Sequence, residues 1–154
     1  MNETASAPEP VAVAVRAATL QDSERIAVLS GQLGYPASPQ DVERRLKLIE
    51  HSPGHVVLAA ETPNGLVIGW VHGYVRRILE SEPTVEIGGL VVDENYRGCG
   101  AGRMLMEHIE TWARESGCAA VTLRSNVIRD GAHKFYRSMG YTIRKSQHAF
   151  WKKL

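Results

Sequence analysis

Residues 85–113, VEIGGLVVDENYRGCGAGRMLMEHIETWA, constrain the fold more than any other part of the chain. A β-rich run is interrupted by Gly88-Gly89, resumes as Leu90-Val91-Val92, and turns through Gly98, Gly100 and Gly102 into a helical pattern. Glycine inside a strand costs roughly 0.5–1 kcal/mol against Ala, and it marks a bulge or a close approach to the backbone. Alternate glycines ahead of a helix let the chain approach a ligand closely. The helix start offers N–H groups without intrahelical partners and a partial positive charge. Arg97 adds a full charge just before the turn. Taken by themselves, the same glycines also describe a tight strand-to-helix turn with no ligand.

The spacing narrows the choice of anion loop. G-x-G-x-x-G fails because position 103 is Arg, and G-x-x-x-x-G-K-[ST] fails because no lysine follows at the required place. Dinucleotide and nucleoside-triphosphate folds are therefore disfavoured. Composition excludes more. With 154 residues, 44% hydrophobic and 23% charged, the chain has the makings of one soluble globular domain. A net charge of +1 provides no global field for gripping nucleic acid or a membrane surface. Cys99 and Cys118 form neither a C-x-x-C pair nor a zinc-ligand spacing, so no metal site is expected. No run approaches the roughly 18 apolar residues of a membrane span. The opening MNETASAPEP lacks the grammar of a secretory signal, so residues 1–10 are expected to be a disordered tail and the cytoplasm is the expected compartment.

Around this segment the elements follow a clear grammar. A first strand is expected over 11–18, then a helix capped at Thr19 and ended by Gly34. A second helix is capped by Ser38, with Pro39 at its first position. Residues 55–77 read as a hairpin turning at Pro63-Asn64-Gly65. After the glycine strand, a helix over about 100–116 presents Leu105, Ile109, Trp112 and Ala113 on one face. AAVTLRS is another strand, Ala132, Phe135, Tyr136 and Met139 share the stripe of a short helix, and 141–154 finishes in strand-like fashion. The order is β-α-α-β-β-β-α-β-α-β, a mixed α/β sheet with helices on its faces.

Arg97, Gly100 and Gly102 spell R-x-x-G-x-G, and SN and AHKFYRSMGY follow downstream. On these motifs the sequence resembles the GCN5-related N-acetyltransferase (GNAT) superfamily over nearly the whole domain 11–154. QLGYP and EIGGLVVDENYRGCGAG make it similar to the aminoglycoside-acetyltransferase-like branch. The resemblance implies a GNAT fold, with a mixed, mostly antiparallel sheet splayed into a V between the fourth and fifth strands. It implies acetyl-CoA as co-substrate, its pantetheine arm along the main chain of Leu90, Val91 and Val92. The pyrophosphate would lie on Arg97, Gly98, Cys99, Gly100, Ala101 and Gly102, with Asn126 contacting the arm. It also implies direct transfer without an acyl-cysteine, so Cys99 is a small turn residue. Locally, Asn126 reads equally well as a turn former.

Acetyl transfer to an amine needs a neutral nitrogen. An alkylammonium with a pKa near 10.4 is neutral about once in 10³ at pH 7, a penalty on the order of 4 kcal/mol. Glu86, just before the glycines, is the expected general base, and it also reads as an exposed rung of an edge-like strand. His72 is the alternative base. Tyr136 matches the family tyrosine that protonates the departing thiolate, although its stripe also reads as core. A backbone N–H near Leu90–Val92 would polarise the carbonyl. The expected function is an acetyl-CoA-dependent N-acetyltransferase acting on a primary amine of a small molecule, with no nucleic-acid or membrane partner and a homodimer left open. In the family the acceptor is met by the early helices and hairpin loops, here GQLGYPASPQ and RRILESEPT. Two rivals stand beside this reading: a protein or peptide N-acetyltransferase, and a non-catalytic acyl-CoA-binding module.

Overall fold

The computed structural model describes residues 12–125 and 130–154, and it divides the chain into two compact units, 1–123 and 124–154. The expected tail at 1–10 lies outside the described residues. In the first unit, β1 (Ala14–Ala17), β2 (His55–Glu61), β3 (Val67–Ile78), β4 (Ser81–Val92) and β5 (Val121–Leu123) form one sheet in the order of the chain. β1 to β4 pair antiparallel, and β5 pairs parallel to β4. Three helices belong to this unit: α1 (Ser23–Leu33), α2 (Pro39–Glu50) and α3 (Ala101–Glu115).

The helix boundaries have local causes. Ser38 caps α2 by accepting from the Asp41 N–H at 3.0 Å, and Pro39 occupies the first turn, where its missing N–H costs nothing. Thr19 caps a short 3-10 turn at Leu20–Asp22 rather than α1 itself, which begins at Ser23. The Asp22 carboxylate is taken up there by Arg16, at 2.8 and 2.9 Å. That guanidinium, outweighing burial, holds the Asp22 carboxyl below the usual carboxylate range.

The two faces of the sheet bury different things. Beneath α3, the absent side chains of Gly69 and Gly73 leave room for Leu105 and Ile109, and Leu105, Met106 and Ile109 are fully buried. On the opposite face α1 packs Leu29 against Ala59, Val67 and Val91, with Leu33 and Trp70 at the margin. Arg25 fastens α1 to the sheet: Nε donates to the Val67 carbonyl at 2.9 Å and Nη2 to the Asp93 carboxylate at 2.8 Å.

The ladder between β3 and β4 slips by one residue where the sequence places its paired glycines. His72 opposes Gly89 and Gly73 opposes Ile87, so Gly88 is the extra residue of a β-bulge. β5 pairs with Val85, Glu86 and Ile87 and reaches no further. Beyond the bulge, among the described residues, Leu90, Val91 and Val92 are laddered to β3 on one side only. This is the splayed sheet of the GNAT fold, opening between the fourth and fifth strands as expected.

The second unit holds α4 (Asp130–Ser138), ended by Gly140 at φ 91°. The closing strand expected over 141–154 is not formed, and these residues carry neither helix nor strand. A strand exists only through a ladder that satisfies its N–H and C=O groups. Ile143, Phe150, Trp151 and Leu154 are all exposed, so burial does not favour a strand here either.

Two side chains on β3 make the paired glycines necessary. A Cβ on Gly89 would stand 2.7 Å from Trp70 Cη2, and one on Gly88 would stand 2.9 Å from His72 Nδ1. Gly89→Ala should therefore destabilise the protein by about 1–3 kcal/mol through overpacking, and Trp70→Phe in the same chain should recover part of that loss. Urea melts of the two variants check it; a silent Gly89→Ala would mean that the indole moves aside freely.

Candidate active site

The site grows out of the alternation of β3. Trp70, His72, Tyr74 and Arg76 share the face that α1 packs on, and across the ladder from Tyr74 stands Glu86. Glu86 is 7% exposed. Its carboxylate accepts the Tyr74 hydroxyl at 2.9 Å and lies 3.4 Å from Arg76 Nε. A carboxylate this deep needs a charge partner and hydrogen bonds, and these two residues provide them. The expectation of an exposed rung is thereby excluded.

His72 and Tyr74 are joined on the same face by His55, the first residue of β2, which pairs with Tyr74. His55 Nδ1 and His72 Nε2 are 3.0 Å apart and share a proton. The His55 ring stacks on His72 at 5.3 Å and on Tyr74 at 5.4 Å. Sequence reasoning singled out Glu86 and His72, placed Arg76 only in an acceptor loop, and passed over Tyr74 and His55. Period-2 spacing along 72, 74 and 76 was a signal for the β3 row. Its match to Glu86 depends on a register set by the hairpin and shifted between Arg76 and Ile78.

At the far end of β4 the chain enters the glycine turn. Asp93 accepts the Asn95 N–H at 3.0 Å as well as Arg25. The backbone bond, with Arg25 reinforcing it against burial, holds the Asp93 carboxyl below its ordinary range. Arg97 is exposed, Gly98 and Gly100 have φ of 82° and 87°, and Gly100 caps α3 without any side-chain hydrogen bond. Alternating left-handed glycines before a helix turn successive N–H groups toward one side, a concavity suited to an anion. Ala101 is buried at 1% exposure, and Gly102 lies within the first turn of α3. Cys99 is a half-buried free thiol whose N–H is 3.4 Å from the Tyr96 carbonyl.

Tyr136 belongs to the second unit. Half-buried on α4, it packs edge-on against Phe135 at 5.2 Å and Tyr141 at 6.0 Å. Asn126 lies outside the described residues. Among the described residues no group of three or more His, Cys, Asp or Glu could hold a metal ion, and no helix is long and apolar enough to cross a membrane.

Known proteins resemble this chain. The model of the acetyltransferase (GNAT) family matches residues 20–141. The chain belongs to that family. An aminoglycoside N(6')-acetyltransferase type 1 of Stenotrophomonas maltophilia is 30% identical over 133 residues, 82% of this chain and 84% of the relative. N-acetylaspartate synthetase of Danio rerio is 32% identical over 77 residues, which is 50% of this chain and 26% of that protein. The solved aminoglycoside N-acetyltransferase AAC(6')-Iy, in complex with CoA, superimposes with a TM-score of 0.80. It is 17% identical and covers 96% of this chain and 99% of its own, a likeness of fold. The protein is thus a GNAT-type acetyltransferase, and acetyl-CoA is its acyl donor. The residues present fit that donor: β4 has a one-sided ladder after the bulge, and the turn beyond it is built for an anion.

His72 gives this site a signature in stability. Burial, and then the neighbouring His55, push its pKa down to about 4 from 6.5. Between those values the unfolded chain binds more protons than the folded one. The neutral buried ring therefore costs nothing above about pH 6.5. Stability falls as pH drops from there toward about 4. Thermal melts across that range should show the decline in the wild type and a flatter curve in His72→Gln. Parallel curves would count against a buried neutral ring.

Proposed function

We propose that the protein moves an acetyl group directly from acetyl-CoA to a primary amine of a small molecule. The observation that carries this reading is the buried Glu86 carboxylate, two residues before the bulge and one before the last rung that β4 shares with β5. The Stenotrophomonas relative, matched along most of both chains, supports a small amine acceptor. Bound acetyl-CoA supplies an electrophilic thioester carbonyl and a thiolate leaving group. Main-chain groups of Leu90, Val91 and Val92 would hold the pantetheine arm. The turn from Arg97 through Gly98, Cys99, Gly100 and Ala101 to Gly102 would hold the pyrophosphate, and Asn126 would contact the arm.

In this reading Glu86 draws in the acceptor's ammonium and takes its first proton, directly or through water. The requirement is thermodynamic: at neutral pH only about one amine in 10³ is already free. Tyr74 and Arg76 fix the carboxylate's orientation, as a general base demands. Tyr136 gives its proton to the departing thiolate. Acceptor selection falls to the α1–α2 connection, where Tyr35 is 73% exposed, and to the β3–β4 hairpin, whose tip carries the fully exposed Leu79 beside Glu80.

A panel of small amines, aminoglycosides and peptides, read by release of the CoA thiol, tests the assignment. Small primary amines should turn over. Selective turnover of peptides would favour the protein-directed reading, and acetyl-CoA binding without any transfer would favour the non-catalytic one. With the best acceptor, Glu86→Gln should lower kcat/KM most at low pH and recover near the amine's own pKa. Tyr136→Phe should lower kcat by roughly 10²–10⁴ at all pH values, with the KM for acetyl-CoA held. Wild-type rates in both variants would remove these residues from the chemistry.

The turn has its own test. Valine at position 100 must adopt a φ of 87°, a strain of roughly 1–2 kcal/mol, and its side chain would crowd an anion at the start of α3. Gly100→Val should remove acetyl-CoA binding in calorimetry while the sheet still melts cooperatively. Unchanged affinity in a folded variant would move the pyrophosphate site elsewhere.

A further inference from the structure

The proton count of the proposed reaction exceeds what Glu86 handles. The acceptor enters as R–NH3⁺ and leaves as R–NH–CO–CH3, so its nitrogen sheds two protons. One is balanced by the proton that the leaving thiolate takes up, and the other passes to solvent. The first departs before attack. The second departs as the C–N bond forms, when the nitrogen has become positively charged and far more acidic than a free alkylammonium. That second proton needs its own acceptor, close to the bulge.

The imidazole of His72 stands there. Nδ1 is 2.9 Å from the place a Cβ on Gly88 would occupy, so the ring presses on the bulge, while Nε2 faces His55 Nδ1 at 3.0 Å. The charged and titratable groups sharing this face are His55 on β2, Tyr74 and Arg76 on β3 and Glu86 on β4. We propose that His72 takes the second proton at Nδ1, and that His55 is the positioning residue that holds His72 in the required tautomer. In that tautomer His72 Nε2–H donates to His55 Nδ1, leaving the lone pair of His72 Nδ1 toward the bulge. The ring becomes an imidazolium as the amide forms and returns the proton from Nδ1 to water once product leaves. The assignment rests on the acetyl-transfer reading above.

A ring pKa pushed down to about 4 suits this task. It stays neutral at pH 7, ready to accept. A nitrogen already bonded to an acyl carbon is acidic enough to need no stronger base. Glu86 and His72 therefore divide the work by order, Glu86 taking the proton shed before attack and His72 the one shed at the bulge as the C–N bond forms.

The experiment has a kinetic and a spectroscopic arm. His72→Gln should lower kcat by about 10²-fold. The loss should persist at alkaline pH, where Glu86→Gln recovers, and the KM for acetyl-CoA should stay within about twofold of wild type. His55→Phe keeps a ring on Tyr74 but removes the acceptor for Nε2–H, and it should lower kcat by about tenfold. The double variant should be no slower than His72→Gln alone, because the two residues act as one unit. Long-range ¹H–¹⁵N spectra of the wild type should show His72 protonated at Nε2 and bare at Nδ1, with that preference lost in His55→Phe. A His72 ring protonated at Nδ1, or additive losses in the double variant, would overturn the assignment. So would wild-type turnover of an amine with an unaffected His72→Gln. A wild type that acetylates no amine of the panel would instead overturn the acetyl-transfer reading, and this role with it.

Discussion

The one-residue slip at Gly88 is the constraint from which the site follows. From Val85 to Ile87, β4 has a neighbour on both sides; after the slip its ladder to β3 continues while its ladder to β5 has ended. An interior strand has no backbone groups left for a ligand, whereas an edge presents a row of them. The bulge thus converts one strand from structural to receptive within two residues. Natural edges are hazards for aggregation, and here the receptive stretch is only Leu90–Val92, with Asp93 turning the chain away immediately after it. Trp70 and His72 press against the glycines from β3, so the slip is held by side chains on the neighbouring strand as well as permitted by the glycines themselves.

Two arginines connect this local device to the rest of the first unit. Arg25 ties α1 to both the start of β3 and the end of β4, and Asp93 in turn shapes the first residues of the turn. Arg16 acts at the same N-terminal end of α1, joining β1 to Asp22 and to Glu61 on β2. Each pair is partly buried, so solvent screens it less than a surface bridge. Their contribution is best understood as orientation. They fix α1 over Trp70 and Val91, and leave the row from His72 to Arg76 half-buried beyond Leu33.

Much of the fold was legible because its signals are local. Ser38-Pro39 starts α2, Gly34 ends α1 in a left-handed turn, Gly65 turns the hairpin, and each acts through backbone geometry within a few residues. The glycine turn was legible for the same reason. Registers were not. Glu86 looks like an exposed rung when β4 is read alone, and becomes a buried carboxylate only when Tyr74 and Arg76 stand opposite it. That placement depends on hairpin pairing and on the register shift between Arg76 and Ile78. His55 lies 17 positions from its partner His72 and belongs to another strand, so no periodicity in sequence links them. The closing strand over 141–154 failed for a related reason. Its alternation promised a strand, but a strand also needs a ladder, and alternation along one segment says nothing about a partner.

The polar row also shows how the sheet separates stability from chemistry. On the α3 face Leu105, Met106 and Ile109 are fully buried, and Gly69 and Gly73 let Leu105 and Ile109 close on the strands. The other face buries a carboxylate, keeps an imidazole from its charge, and leaves the indole nitrogen of Trp70 buried without a partner. Each of these opposes folding by the ordinary rules of desolvation. A core chosen for stability would replace them with aliphatic residues at little cost or even a gain. Their concentration on one face, next to the point where the sheet opens, is what physical chemistry leads one to expect of groups kept for what they do to a substrate.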